Sequence, residues 1–223
     1  MKRTKLKDRT LPRYCLGEEL INAISHGIGA LLGIVVLIMC ICKAVRLGQP
    51  AGIVGAAIYG ASMILLYTIS TLYHALRPGT AKKVFQVLDH CTIYLLISGT
   101  YTPILLSGLF PHKPLLTWGM LLLQWGAAAV GISLNAVDLR KYRVFSMLCY
   151  LIMGWAILLI APDALRLLSH TGLLYILIGG ICYSVGAVLY GIGAKKPWFH
   201  SAFHLFVLAG TLFQFLGIYG YIL

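Results

Sequence analysis

The residues of this chain that could do chemistry are histidines and carboxylates set at helical spacing. His200 and His204 stand at i and i+4, which puts two imidazoles on one helical face. Two such imidazoles plus a third from another helix give the three-nitrogen set that zinc accepts, with a fourth position left for water. Ser70 and His74 repeat the spacing, as do Asn22 and His26, and Glu19 lies three residues before Asn22. Asp89 is the carboxylate best placed to hold or deprotonate a water on such an ion, whose pKa a metal lowers to near neutrality. One HxxxH pair is weak evidence alone, because helical histidines also cap carbonyls or touch lipid headgroups. His26 and His90 read more simply as hydrogen-bonded structural residues than as ligands.

Only membrane helices can position these groups. Of 223 residues, 60% are apolar or aromatic and 11% are charged, against about a quarter charged in an ordinary soluble domain. That composition excludes a cytosolic enzyme, a disordered chain and a secreted disulfide scaffold. Apolar runs fall at 21–42, 52–75, 84–107, 115–135, 144–161, 170–192 and 198–222, separated by turn residues such as Arg77-Pro78-Gly79 and Ala161-Pro162-Asp163. Each is long enough for a spanning helix and too long for a barrel strand. The expected fold is therefore an all-α seven-transmembrane helix bundle, with residues 1–20 a basic N-terminal segment and 21–223 the membrane domain. The first run is read as a membrane anchor, because it exceeds a signal peptide's apolar core and follows Glu18 and Glu19. Cys15, Cys40, Cys42, Cys91, Cys149 and Cys182 form no CxxC and read as small buried hydrophobes. Tyr67, Tyr73, Tyr94, Tyr101 and Trp198 read as packing or interface residues.

Charge sets the orientation. Fourteen of the 18 Lys and Arg residues fall on the N-terminal side of the bundle and Lys43, Arg46, Lys113 and Arg166 on the other. By the positive-inside rule the N-terminus is cytoplasmic and the C-terminus outside. The net charge of +12 then reflects contact with anionic lipid headgroups rather than with nucleic acid. On this topology His112 and His170 fall at outer loops, whereas His26, His74, His90, His200 and His204 gather near the inner ends of spans 1, 2, 3 and 7, with Glu18, Glu19 and Asp89 at the same level. With Pro197 in the first turn of span 7, His200 and His204 lie roughly 5 and 10 Å along it, and Asp89 about 7 Å in from Val84. Ionisable groups within a membrane are costly and mark functional sites.

Read in order, Glu19-x2-Asn22-x3-His26, Ser70-x3-His74, Asp89 and His200-x3-His204 resemble the progestin and adipoQ receptor superfamily, and within it the bacterial hemolysin III branch. The resemblance covers about residues 17–222. It implies a seven-helix bundle in the bacterial plasma membrane, zinc held by His74, His200 and His204, Asp89 contacting the metal through water, and Ser70 in the polar shell. Members of the wider superfamily look like lipid amidases acting on ceramide, and the branch name reflects cytolytic activity.

Three functions are carried forward. The first is a zinc-dependent hydrolase cleaving an amide or ester bond of a membrane lipid, with Asp89 as base and Ser70 as hydrogen-bond donor. The second is a membrane-lytic or pore-forming protein. The third is a non-catalytic regulator of membrane state in which zinc only pins spans 2 and 7 together. Glu19, Asn22, His26 and His90 are candidates to support the site or merely to stabilise helix ends. Nothing in the sequence specifies an oligomeric state.

Overall fold

The computed structural model describes Thr4, residues 6–193 and residues 196–223. Lys2, Arg3, Lys5 and Lys195, four of the charges counted above, lie outside these residues, as does the side chain of Lys7. The described residues form seven helices long and apolar enough to cross a membrane: Leu16–Arg46, Pro50–Ala75, Thr80–Leu109, Pro114–Asp138, Arg143–Leu167, His170–Gly193 and Phe199–Ile222, here spans 1 to 7. Helices satisfy every backbone group internally, the condition for lying in hydrocarbon.

Span 3 is the axis of the bundle, with 72% of its apolar window buried against 28% for span 1. It is also rich in hydroxyls, and Thr100 and Thr102 return theirs to the carbonyls of Leu96 and Ser98, each at 2.7 Å. That back-bonding lets a polar helix sit among apolar neighbours. Pro103 cannot donate to the carbonyl of Gly99, and the chain widens there into a π turn over Ile104–Leu109. Span 1 packs along span 2, span 2 along span 3, and span 6 along span 7, while span 7 closes back onto span 1. Spans 6 and 7 approach closely because glycines face each other: a Cβ on Gly179 would stand 2.9 Å from the Gly210 carbonyl oxygen.

Several boundaries differ from the sequence expectation. Span 1 begins at Leu16, so Glu18 and Glu19 occupy its first turn. Pro162 does not end span 5. It sits in the first turn of a last helical piece, Ala161–Leu167, where its missing N–H costs nothing. Span 5 is instead broken after Gly154 and continues as a 3-10 stretch, Ala156–Ile160. The Tyr101 hydroxyl mends the break, accepting from the Ile157 N–H and donating to the Gly154 carbonyl, both at 2.8 Å.

Pro197 also lies outside span 7, which starts at Phe199 after Trp198 in a left-handed conformation, φ 68°. His200 is therefore in the first turn and His204 one turn deeper. Of the cysteines, Cys40 and Cys91 are buried and Cys149 and Cys182 partly so, but Cys15 and Cys42 are exposed; all six are free thiols.

Candidate metal centre

His74 ends span 2, and His200 and His204 open span 7, so both helices deliver imidazoles at the end of the bundle where the N-terminal segment lies. All three rings are buried, and one ring nitrogen from each lies within 4.8 Å of the other two. The Nε2 atoms of His200 and His204 are 3.2 Å apart. Zinc–nitrogen bonds of about 2.0–2.1 Å in a tetrahedron set neighbouring nitrogens about 3.3 Å apart, so this edge already has the spacing of two ligands on one ion. The Nε2 of His74 is buried with no hydrogen-bond partner among the described residues. An orphaned imidazole lone pair beside two converging nitrogens fits a divalent cation, and these three residues could hold one.

Glu19 fixes the tautomer of His74. Its Oε2 is 2.7 Å from Nδ1, which donates to it, leaving Nε2 as the free lone pair. Asn22 Nδ2 stands farther from the same nitrogen, at 3.4 Å, and cannot donate to an atom that carries its own proton. Lys82 holds the other oxygen of Glu19 at 2.6 Å and donates also to the carbonyl of Leu76 at 3.0 Å. This lysine is 3% exposed. Counted from sequence only as a loop charge, it is a buried counter-ion that ties span 3 to the ends of spans 1 and 2.

Glu18 does similar work for span 7. One oxygen caps its own helix through the Cys15 N–H at 2.9 Å, and the other accepts from the Trp198 N–H at 2.7 Å. That bond offsets the cost of the left-handed turn that aims His200 and His204 inward. Tyr14, which sequence reasoning also missed, lies just before span 1. Its ring stacks on His200 with centroids 4.7 Å apart and the planes 15° from parallel. Burial, reinforced by Tyr190 and the nearby carboxylates, pushes the Tyr14 phenol well above its ordinary range, so it covers the site as a neutral ring.

The remaining candidates divide. His26 joins the cluster, its ring 3.8 Å from that of His204, with both nitrogens buried and without a hydrogen-bond partner among the described residues. His90 is engaged elsewhere: Nδ1 donates to the Gln86 carbonyl at 2.8 Å and Nε2 accepts from the Tyr190 hydroxyl at 3.1 Å. Asp89 is not among the groups that meet at the three imidazoles; one of its carboxylate oxygens stands 3.9 Å from Nδ1 of His90. It does line the cavity that opens beside them. This cavity, about 160 Å³, has Ser70, Asp89, His200 and His204 at one end and runs past Ile97, Tyr101 and Trp155 toward Gln214. The broken part of span 5 forms one of its walls. A polar head with titratable groups and an apolar body between helices suits a ligand with a polar linkage and a hydrocarbon chain.

Residues 14–215 match the family described as haemolysin-III related. The chain is 42% identical over 206 residues to Hemolysin-3 of Bacillus cereus, covering 92% of each protein. It is 38% identical over 208 residues to a Hemolysin-3 homolog of Bacillus subtilis, covering 93% of this chain and 96% of the relative. A more distant similarity, 26% over 199 residues, reaches an adiponectin receptor protein of Drosophila melanogaster and covers 76% of this chain and 42% of the receptor.

Proposed function

The chain belongs to the haemolysin-III-related family of multi-pass membrane proteins, and from that premise we propose that it is a zinc-dependent hydrolase of an amide or ester bond in a membrane lipid. One observation carries the reading: three convergent imidazoles, of which His200 and His204 line the end of a largely apolar cavity between helices. His74, His200 and His204 would hold the ion. Zinc in such a three-nitrogen site supplies a Lewis acid for a carbonyl and a water of near-neutral pKa.

The rest of the chemistry belongs to side chains. Asp89, its side chain 16% exposed on the cavity wall, orients the attacking water and takes its proton. Ser70 lies one turn before His74 on span 2 and faces the same cavity; its hydroxyl donates to the carbonyl oxygen as negative charge builds there. The apolar body of the cavity receives the acyl chain and excludes bulk water. The charge count favours a cytoplasmic position for this end of the bundle, which would draw substrate from the inner leaflet.

The test is release of fatty acid from a panel of amide- and ester-linked lipids by the zinc-loaded protein. Asp89→Asn is expected to retain the metal and to lose activity by a factor on the order of 10² or more, the contribution of a positioned base. Full metal occupancy with no cleavage of any lipid would argue for a structural zinc that pins spans 2 and 7. The names of the two Bacillus relatives favour a second reading, membrane lysis. Lysis of vesicles that survives His200→Ala and His204→Ala would support it over hydrolysis.

A further inference from the structure

Arg9 lies outside the seven spans, just after a 3-10 turn over Leu6–Asp8. The segment is tethered to the end of span 4, where the Thr4 N–H donates to the Asp138 carboxylate at 2.8 Å. From there the Arg9 side chain turns inward. The residue is 8% exposed, and its Nε and Nη1 are buried without a hydrogen-bond partner among the described residues. Nor does a carboxylate pair with it there. A guanidinium stays charged at any physiological pH, and burying two of its three nitrogens unpaired is costly to a fold.

The surroundings indicate what completes it. Arg9 lines a groove of about 240 Å³ whose other walls are Leu6, Val84, Val87, Leu88 and Ala136. Val84 and Leu88 are one turn apart on span 3 and each 39% exposed, on the outward face of the bundle where lipid chains run. A planar fork of donors matches a phosphate, and the apolar walls continue from it toward the bilayer. We propose that this groove between spans 3 and 4 binds one anionic phospholipid, with its phosphate on Arg9 and an acyl chain along Val84 and Leu88. A lipid of net negative charge neutralises the lone guanidinium, whereas a zwitterionic one brings its own cation. The site lies apart from the three imidazoles and does not depend on hydrolysis.

Native mass spectrometry of the full chain, stripped of lipid in detergent and titrated with phosphatidylglycerol, phosphatidylcholine or inorganic phosphate, tests the proposal. Wild type is expected to retain one phosphatidylglycerol per chain. Arg9→Gln should weaken that binding about tenfold, while Arg13→Gln, at an exposed position, leaves it unchanged. Circular dichroism checks that each variant is folded. Should Arg9→Gln fail to fold, Arg9→Lys takes its place: a point charge without the fork is expected to weaken binding about threefold. Undiminished binding by the Arg9 variants, equal retention of phosphatidylcholine, displacement by equimolar inorganic phosphate, or no lipid on wild type would each overturn it.

Discussion

Replacing Glu19 by glutamine keeps the length of the side chain and removes the charge that orients His74. Partners of this kind behind a metal-binding histidine are typically worth 10- to 100-fold in affinity. Glu19→Gln should therefore weaken zinc binding by about that factor in competition with a chelator. His74→Ala and His204→Ala remove lone pairs outright and should leave less than about a tenth of the wild-type metal content by elemental analysis, since two remaining imidazoles make a poor site. The i, i+4 spacing made His200 and His204 legible before any coordinates. Lys82 was hidden because the apolar run of span 3 begins at Val84, whereas the helix begins at Thr80. Tyr14 was equally hidden. Its stacking on His200 depends on which helix ends are neighbours, and one chain's periodicity does not encode that.

At the scale of elements, the break in span 5 lies on the wall of the cavity, and Tyr101 is the residue that makes the break tolerable. Tyr101→Phe removes the hydroxyl and leaves the buried Ile157 N–H unpaired, a loss of about 1–3 kcal/mol. Thermal unfolding in detergent should show a lower Tm, and a Tm equal to that of wild type would assign the hydroxyl no such role. Sequence placed all seven spans, because runs of about 20 apolar residues have few other fates. It misplaced the end of span 5, since Pro162 signals either a stop or a first turn and only packing decides which. The left-handed turn at Trp198 was beyond its reach as well, because the compensating carboxylate is Glu18, at the other end of the chain.

For the whole molecule, the asymmetry of basic residues gives a prediction about sidedness. Lys113 precedes span 4 and Lys141 follows it, so with the six native cysteines replaced by serine a membrane-impermeant maleimide on intact cells should label Lys113→Cys and spare Lys141→Cys until the membrane is opened. The reverse pattern would place the imidazoles at the outer leaflet. The layering of five histidines near one depth was visible in the sequence. The convergence of His26, His74, His200 and His204 was not, because it rests on span 7 closing against span 1 and thereby facing span 2. The most direct measurement is zinc K-edge X-ray absorption on the purified full-length protein. Three imidazole nitrogens and one oxygen at about 2.0–2.1 Å, with zinc at one per chain, are expected for His74, His200 and His204. Protein that holds no zinc when supplied with it, or a shell containing sulfur, would contradict the account.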